Sequence, residues 1–195
     1  FFDTNVKSLN LGPFNKFINL SKFLHKIFIN YNLNKQEYTL EKISYSRKED
    51  CRIMEHALSK WFKDPKILNL VSPNLTYPFN FKNWVSKHYS ARQLPAKSFV
   101  ILKKRWIVGH ISFRVRNDKA HLFHLIIDKH YRRLGLAKIL VAEVEKNALK
   151  IGKTVTLKIS QKNKKALKLY KSLGYTVKSG KDLKSVILQK FDKSC

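Results

Sequence analysis

Residues 121–175 of this 195-residue chain read HLFHLIIDKHYRRLGLAKILVAEVEKNALKIGKTVTLKISQKNKKALKLYKSLGY, and they carry the clearest periodic patterns in the sequence. The apolar run from Leu122 to Ile127 has the length and composition of a buried strand. Asp128 ends that run. From Leu136 onward, apolar residues recur at helical spacing with charged residues between them. The sequence therefore predicts a strand, a short turn and a helix in succession.

The turn before this helix has the features of an anion site. Gly135 lies in the first turn, where the missing side chain allows close approach to the backbone. The first amides of a helix lack intrahelical partners, and the helix dipole favours negative charge there. Together these features predict a phosphate cradle. Four cations stand close by in the chain: Lys129, Arg132, Arg133 and Lys138. An ordinary strand–helix connection with solvated arginines would contain the same glycine, so the turn alone leaves both interpretations open.

A second helix is predicted after Asn163, whose side chain can accept hydrogen bonds from early amides. Apolar and aromatic residues then recur at helical spacing, at Ala166, Leu169, Tyr170 and Leu173. Gly174 stands where a helix ends with a positive φ. This spacing turns Tyr170 inward, toward whatever the first helix binds. A tyrosine that only fills the core would show the same pattern.

The two patterns together resemble a known family. Arg132-x-x-Gly135-x-Ala137 followed by Asn163-x-x-Ala166-x-x-Leu169-Tyr170-x-x-x-Gly174-Tyr175 is similar to the two signature motifs of the GNAT acetyltransferase superfamily. The second motif looks most like that of ribosomal-protein and N-terminal α-amine acetyltransferases. The resemblance covers residues 98–190 well and 39–97 loosely. It implies an α/β (α+β) fold, with a mixed, mostly antiparallel twisted sheet of six to seven strands and flanking helices.

The resemblance also implies acetyl-CoA as the donor and assigns residues to it. The amides of 134–138 would hold the CoA pyrophosphate, and the strand 125–127 would pair with the pantetheine arm. Tyr170 would also protonate the departing thiolate. The cofactor-binding residues implied are Leu125, Ile126, Ile127, Arg132, Arg133, Leu134, Gly135, Leu136, Ala137, Lys138, Asn163 and Tyr170.

The base that deprotonates the amine is harder to find. Many relatives carry a glutamate on the central strands, but here the only acid between Ser98 and Asp128 is Asp118, in a predicted turn. His121 and His124 are the titrating groups on the strand. Regular alternation would place them on opposite faces, so we expect only one to face the site, and His124 is the candidate. A surface histidine and direct proton loss to water are the alternatives. No pattern indicates a nucleophilic triad or a metal site.

The composition limits the partners. The chain has 40 Lys and Arg against 13 acids, a formal charge of +27. Such a charge favours contact with nucleic acid, ribosomes or anionic membranes. AT-rich coding would also produce this abundance of lysine. The two cysteines exclude a disulfide framework and fit a reducing compartment, the cytoplasm or an organellar stroma or matrix. No apolar run approaches the roughly 18–20 residues of a membrane-spanning helix.

Two regions are expected along the chain. Residues 1–38 form a basic amphipathic extension, which suits a membrane or partner contact, a transit peptide, or a helix packed on its own domain. Residues 39–195 form the acetyltransferase domain. We expect strands at 39–47, 98–102, 105–115, 121–127, 154–159, 175–177 and 185–189, helices at 49–62, 81–89 and 136–150, and mostly loop at 63–80. By resemblance, the candidates for the wall of the acceptor pocket are Trp61, Tyr77, Phe79, Phe81 and Trp84, and packing in the core is the alternative expected for most of them.

The sequence thus predicts an acetyl-CoA-dependent N-acetyltransferase that acts on a primary amine of a protein or peptide. The alternative is a GNAT-fold protein with little or no catalysis, which serves as a basic ribosome- or nucleic-acid-associated module. The missing carboxylate base and the high positive charge favour that alternative.

Overall fold

The computed structural model describes residues 37–90, 92–148, 150, 154–178 and 184–191. The elements below belong to the unit of residues 39–195, with Tyr38 as the first residue of the first strand. The predicted N-terminal extension, residues 1–38, lies outside the described residues apart from its last two positions.

The strands of the described part form one sheet. They are β1 Tyr38–Ile43, β2 Ala96–Lys103, β3 Trp106–Arg116, β4 Lys119–Ile127, β5 Thr154–Ser160, β6 Thr176–Lys178 and β7 Ser185–Phe191. Their order is β1-β2-β3-β4-β5-β7-β6. β2, β3 and β4 form an antiparallel meander, β5 lies parallel to β4, and β7 pairs antiparallel with both β5 and β6. The predicted mixed, mostly antiparallel sheet is confirmed.

The helices of the same residues are α1 Lys48–Trp61, α2 Pro65–Val71, α3 Phe81–His88, α4 Leu136–Ala148 and α5 Lys164–Ser172, and a 3₁₀ turn spans Lys129–Tyr131. Asn80 caps α3 by accepting from the Asn83 amide at 2.9 Å, and Asn163 caps α5 by accepting from the Ala166 amide at 3.1 Å. None of these helices is long and apolar enough to cross a membrane.

Two expectations about the first third of the domain are wrong. Residues 63–80 are not mostly loop, because α2 occupies their first half. Asp64 accepts from the Lys66 amide at 2.8 Å, and Pro65 stands at the start of the helix, where no N–H is needed. The first strand ends at Ile43 and not at residue 47. Its end is set by the Ser44 amide, which donates to Asp50 Oδ2 at 2.7 Å and turns the chain into α1.

Helices cover both faces of the sheet. α4 packs on β2, β3 and β4, and Gly109 allows the close approach. A Cβ at Gly109 would lie 2.7 Å from both Ile101 and Ile127 and 3.0 Å from Leu140. Since side chains alternate along a strand, neighbours such as Val100 point to the opposite face. There α1 and α3 bury one core cluster, whose members include Met54, Leu58, Trp84, Val100 and Ile126.

The sheet is split between β4 and β5. The two strands pair only over Lys119–Leu122 and Thr154–Leu157. Beyond Leu122, β4 stays paired with β3, with Gly109 opposite Ile127, but the strand pairing with β5 has ended. The main chain of residues 123–127 is therefore open toward β5. The candidate site is built around this opening.

Candidate active site

The end of β4 is anchored by a buried carboxylate. Asp128 accepts from the Trp61 indole N–H at 3.0 Å and from the His130 amide at 3.0 Å, and Lys60 Nζ lies 3.6 Å away. Burial opposes ionisation of Asp128, but these donors and the lysine hold the pKa of its carboxyl below the usual range. The carboxylate thus ties α1 to the turn that precedes α4.

That turn has the geometry of an anion cradle. Gly135 has φ +78°, and a Cβ there would project into open space. The amides of residues 133–137 take part in none of the hydrogen bonds among the described residues, whereas the Lys138 and Ile139 amides both donate to the Gly135 carbonyl. Arg132, Arg133 and Leu134 are exposed around this turn. Free amides, an open approach and nearby cations suit a diphosphate.

The strand predicted to bind the pantetheine arm lies beside the same turn. Ile126 and Ile127 pair with β3 on one side, and residues 125–127 open toward the split on the other. Arg132 Nε donates to the Ile127 carbonyl at 3.0 Å, which ties the cationic turn to the strand end. The structure therefore brings the predicted pyrophosphate turn and the predicted pantetheine strand together.

α5 ends in the predicted cap. Gly174 has φ +84°, and the Tyr175 amide donates back to the Tyr170 carbonyl at 3.1 Å. Tyr170 is 4% exposed, as expected for an inward position, and its ring packs against that of Tyr175 at 5.2 Å. Burial, and then the charge of Glu145, raises the pKa of the Tyr170 hydroxyl, so it stays protonated at neutral pH. The side-chain oxygen of Asn163 accepts the hydrogen bond that caps α5.

A cavity of about 500 Å³ opens at the split on the α1–α3 side of the sheet. Its wall comes from the end of α2 and the loop after it, from α3, and from β3, β4, β5 and β7. His88, Arg114, His121 and His124 line it, and no Asp or Glu is among its described lining residues. Tyr170 does not line this cavity. The two predicted catalytic side chains therefore do not share a wall of it.

The expectation that only one histidine of β4 can face the site is wrong. Both His121 and His124 line the cavity. The register between β3 and β4 shifts after Ser112, which faces Phe123, so that His110 faces Ile126. His124 lies within this β-bulge with φ +55°, and the extra residue cancels the alternation on which the expectation depended.

A buried hydrogen-bonded cluster supports His124 from behind. Its Nδ1 lies 2.8 Å from the Tyr89 hydroxyl, which lies 3.0 Å from Ser112 Oγ. Ser112 Oγ is in turn 2.7 Å from Ser98 Oγ. The Trp84 ring packs on the imidazole at 4.1 Å. These contacts fix the orientation of the ring from two sides.

His110 closes the cluster, and its tautomer follows from its partners. Its Nδ1 lies 3.1 Å from the His124 carbonyl oxygen, which can only accept, so Nδ1 carries the hydrogen. Nε2 is then an acceptor. The Tyr45 hydroxyl at 3.2 Å and Ser112 Oγ at 3.3 Å are the donors available to it.

The imidazoles of this region are neutral at pH 7. Burial lowers the pKa of His110 to about 4. Burial, followed by the charges of Arg114 and Lys87, lowers the pKa of His88 to about 4. Burial also lowers the pKa of His121, and burial, followed by the neighbouring His88, His110 and Arg114, holds the pKa of His124 well below the usual value. A neutral imidazole keeps one nitrogen lone pair for a proton.

The aromatic residues predicted for the pocket wall do not line this cavity. Trp61, Phe81 and Trp84 belong to the buried core, Phe79 packs against it, and Tyr77 is 56% exposed. Trp84 alone among them touches the site, through the His124 ring.

The sequence did not predict four residues of the site: His88, Tyr89, Ser112 and Arg114. The alternation of His110, Ser112 and Arg114 along β3 was the available signal, since polar residues on one face of a central strand call for a partner or a cavity.

The comparisons with known proteins agree with this geometry. Residues 56–175 match the model of the acetyltransferase (GNAT) family. The fold is similar to that of the ribosomal-protein-S18-alanine N-acetyltransferase of Escherichia coli, at 20% identity and a TM-score of 0.55 over 78% of this chain and 90% of that one. It is also similar to PaiA N-acetyltransferase of Thermoplasma acidophilum, solved in complex with coenzyme A, at 18% identity and a TM-score of 0.59 over 79% of this chain and 98% of that one.

A third similar structure is the GNAT domain of PAT from S. lividans, at 12% identity and a TM-score of 0.65 over 78% of this chain and 89% of that one. A comparison with curated protein sequences finds none that matches. The low identities show the fold, whereas the family match extends over more than half of the residues. The chain belongs to the acetyltransferase (GNAT) family, whose members use acetyl-CoA as the acetyl donor.

Proposed function

We propose that this protein transfers an acetyl group directly from acetyl-CoA to a primary amine of a protein or peptide, with His124 as the base and Tyr170 as the acid. The single observation that carries the proposal is the neutral His124 imidazole in the wall of a cavity at the β4–β5 split, next to the open strand 125–127. Bound acetyl-CoA supplies the acetyl group as a thioester.

The donor would be held along one continuous path. The free amides of residues 134–138 and the exposed Arg132 and Arg133 would hold the diphosphate, and residues 125–127 the pantetheine arm. Asn163 would stand near the cofactor at the start of α5. The open space above Gly135 supports this assignment, because a side chain there would enter the cradle.

The cluster behind His124 allows Nε2 to act as the base. When Ser112 directs its hydrogen to Ser98, Tyr89 can donate to Ser112 and accept from Nδ1–H of His124. Nε2 then carries the lone pair and can take a proton from the amine. Since no carboxylate lies among the described residues of the wall, this imidazole replaces the carboxylate base that many relatives carry.

The hydroxyl of Tyr170 would hold the proton for the leaving sulfur. It stays protonated because burial raises its pKa. The roles of acid and base would then fall to groups from α5 and β4.

Three observations favour a peptide or protein acceptor. The second motif is most similar to those of ribosomal-protein and N-terminal α-amine acetyltransferases. One similar structure is a ribosomal-protein-S18-alanine N-acetyltransferase. The cavity, at about 500 Å³, lies within the roughly 300–1,000 Å³ of ligand pockets and suits the first residues of a chain.

The test is acetyl-CoA turnover, followed as thiol release, with a panel of peptides and small amines, and with mass spectrometry to locate the acetyl group. We expect acetylation of a peptide α-amine. His124→Gln should lower kcat by about 10²-fold, within the usual contribution of a general base. His121→Gln, in the same wall, should lower it much less, and the exposed His56→Gln should leave it unchanged.

Two outcomes would contradict the proposal. Equal rates for His124→Gln and His121→Gln would remove His124 from the role of base. Tight CoA binding without acetylation of any amine would instead favour a GNAT-fold module without catalysis.

A further inference from the structure

Arg114 is a half-buried cation without an acidic partner among the described residues. It donates from Nη2 to the His88 carbonyl at 2.7 Å and from Nη1 to Gln93 Oε1 at 3.2 Å, and both acceptors are neutral. Its Nε is buried without any hydrogen-bond partner in the described part of the chain. Charges removed from water are normally paired. Arg114 therefore lacks the partner that its position calls for.

The guanidinium lies close to the base. It stacks on the Phe123 ring, 4.4 Å from the ring centre, and that ring lies 4.7 Å from the ring of His124. A single aromatic side chain thus separates the two groups, and all three line the cavity. An acceptor whose amine reaches His124 would place its next atoms near Arg114, because one extended residue spans roughly 3.3 Å.

The rest of the wall does not offset this charge. The three histidines of the wall are neutral, and Asp and Glu are missing from the described lining residues. The high overall charge of the protein does not explain the arrangement. Arg114 is held at the cavity wall by its hydrogen bonds and by the Phe123 ring, so its charge has a fixed position.

We propose that the acceptor carries a carboxylate close to its primary amine, and that Arg114 binds this carboxylate. The inference rests on the proposed function and narrows its substrate class to peptides with Asp or Glu at the first or second position. A free amino acid offers the same chemistry through its main-chain carboxylate. Peptides that begin with lysine or arginine would be poor acceptors, because the cavity repels a second positive charge.

The experiment uses the full chain and hexapeptides that differ at one residue. Glu, Gln or Lys stands at position 1 or at position 2, with the other five residues constant, and free glutamate is a further arm. We expect kcat/KM to be about 10- to 100-fold higher for Glu than for Gln at one of the two positions, and lowest for Lys, as a charge-assisted hydrogen bond would give. The difference should lie mainly in KM and shrink as salt is added.

Arg114→Gln should bring the Glu-to-Gln ratio close to one. Arg116→Gln is the matched control, since it removes the same charge from an exposed position on the same strand that does not line the cavity. Arg116→Gln should keep the ratio. Because Arg114→Gln also removes hydrogen bonds to Gln93 and His88, Arg114→Lys is measured beside it. The lysine keeps the charge but loses the planar fork, so a reduced preference for Glu should remain.

The outcomes separate this inference from the proposed function. Equal kcat/KM for Glu and Gln peptides in the parent protein, or a preference that is unchanged in Arg114→Gln, would overturn the role of Arg114 while leaving peptide acetylation intact. Acetylation of free glutamate but of no peptide would support the binding of a carboxylate by Arg114. It would overturn the proposal that the acceptor is a peptide. If no acceptor turns over, calorimetry with the Glu hexapeptide decides, since binding that is lost in Arg114→Gln and kept in Arg116→Gln would still support the anion site.

Discussion

The two sides of the β4–β5 split differ in the groups that form them, main-chain amides on one side and side chains on the other. On the side proposed for the cofactor, the cradle of residues 132–138 consists mainly of main-chain amides around one glycine. On the side proposed for the acceptor, the cavity consists of side chains from α2, α3 and four strands. The cradle occupies seven consecutive positions, whereas the cavity draws on residues from Asn69 to Ser185. A main-chain site is thus local in the sequence, and a side-chain site is distributed over it.

This difference has a consequence for specificity. Main-chain amides bind any diphosphate of suitable shape, so the cradle can serve the same donor throughout a family. Side chains set the charge of the cavity, here one arginine, two lysines and three neutral imidazoles among the described lining residues. We therefore expect substitutions in the cradle to alter the binding of the donor, and substitutions in the cavity to alter the choice of acceptor.

The largest effect should follow from filling the cradle. Gly135→Glu should abolish CoA binding, because the side chain would both occupy the space above the free amides and add a negative charge. The measurement is calorimetry with CoA. Gly174→Glu is the matched control, since Gly174 also has positive φ (+84°) and open space at its Cβ position.

Both variants should lose stability, since a side chain at positive φ costs roughly 1–2 kcal/mol. Only Gly135→Glu should lose CoA. Retained binding in Gly135→Glu would show that the cradle is not the diphosphate site, and the contrast between the two sides would then fail.

The next effect concerns the hydroxyl of Tyr170, the proposed acid. Tyr170→Phe should lower turnover on the order of 10²-fold with little change in CoA binding, because it removes a proton donor and keeps the packing. Tyr175→Phe is the control, since the Tyr175 ring packs on Tyr170 and the substitution likewise removes one buried hydroxyl. If the two variants turn over equally fast, Tyr170 has no role as the acid.

The smallest effect should be a loss of protein stability at low pH, which arises from the buried His110 behind the cavity. The folded pKa of His110 is about 4, below that of an unfolded histidine near 6.5, so the unfolded state takes up a proton first as the pH falls. The free energy of unfolding therefore falls as the pH drops below about 6.5, and the fall levels off near pH 4. His110 should contribute a loss on the order of 2–3 kcal/mol by pH 4.

Denaturant unfolding at pH 7, 6, 5 and 4 measures this loss. His110→Gln should flatten the fall of the unfolding free energy with pH, even though it is less stable throughout. The exposed His56→Gln should keep the slope of the parent protein. A parent slope that His110→Gln leaves unchanged would exclude His110 as a source of the acid sensitivity.

Periodicity and turn residues predict many elements of this fold, because these elements depend on neighbouring residues. The apolar run of β4, the spacing of α4, the Asn163 cap and the positive φ of Gly135 and Gly174 each depend on residues within a few positions. The mixed, mostly antiparallel sheet could be expected too, through the resemblance of two short motifs. α2 could not, because the prolines at 65, 73 and 78 indicate a loop, although at the first helical position a proline favours the helix.

The acceptor side could not be predicted in the same way. That His121 and His124 share one wall depends on a bulge between β3 and β4, and the pattern of β4 looks regular throughout. The neutral state of His124 comes from burial under Trp84 and Tyr89, far away in the chain. Arg114 lies over Phe123 only once β3 and β4 have paired. The chain therefore specifies its proposed donor site through neighbouring residues. The charge and shape of its proposed acceptor site arise from contacts between distant residues, whose burial and register exist only in the folded sheet.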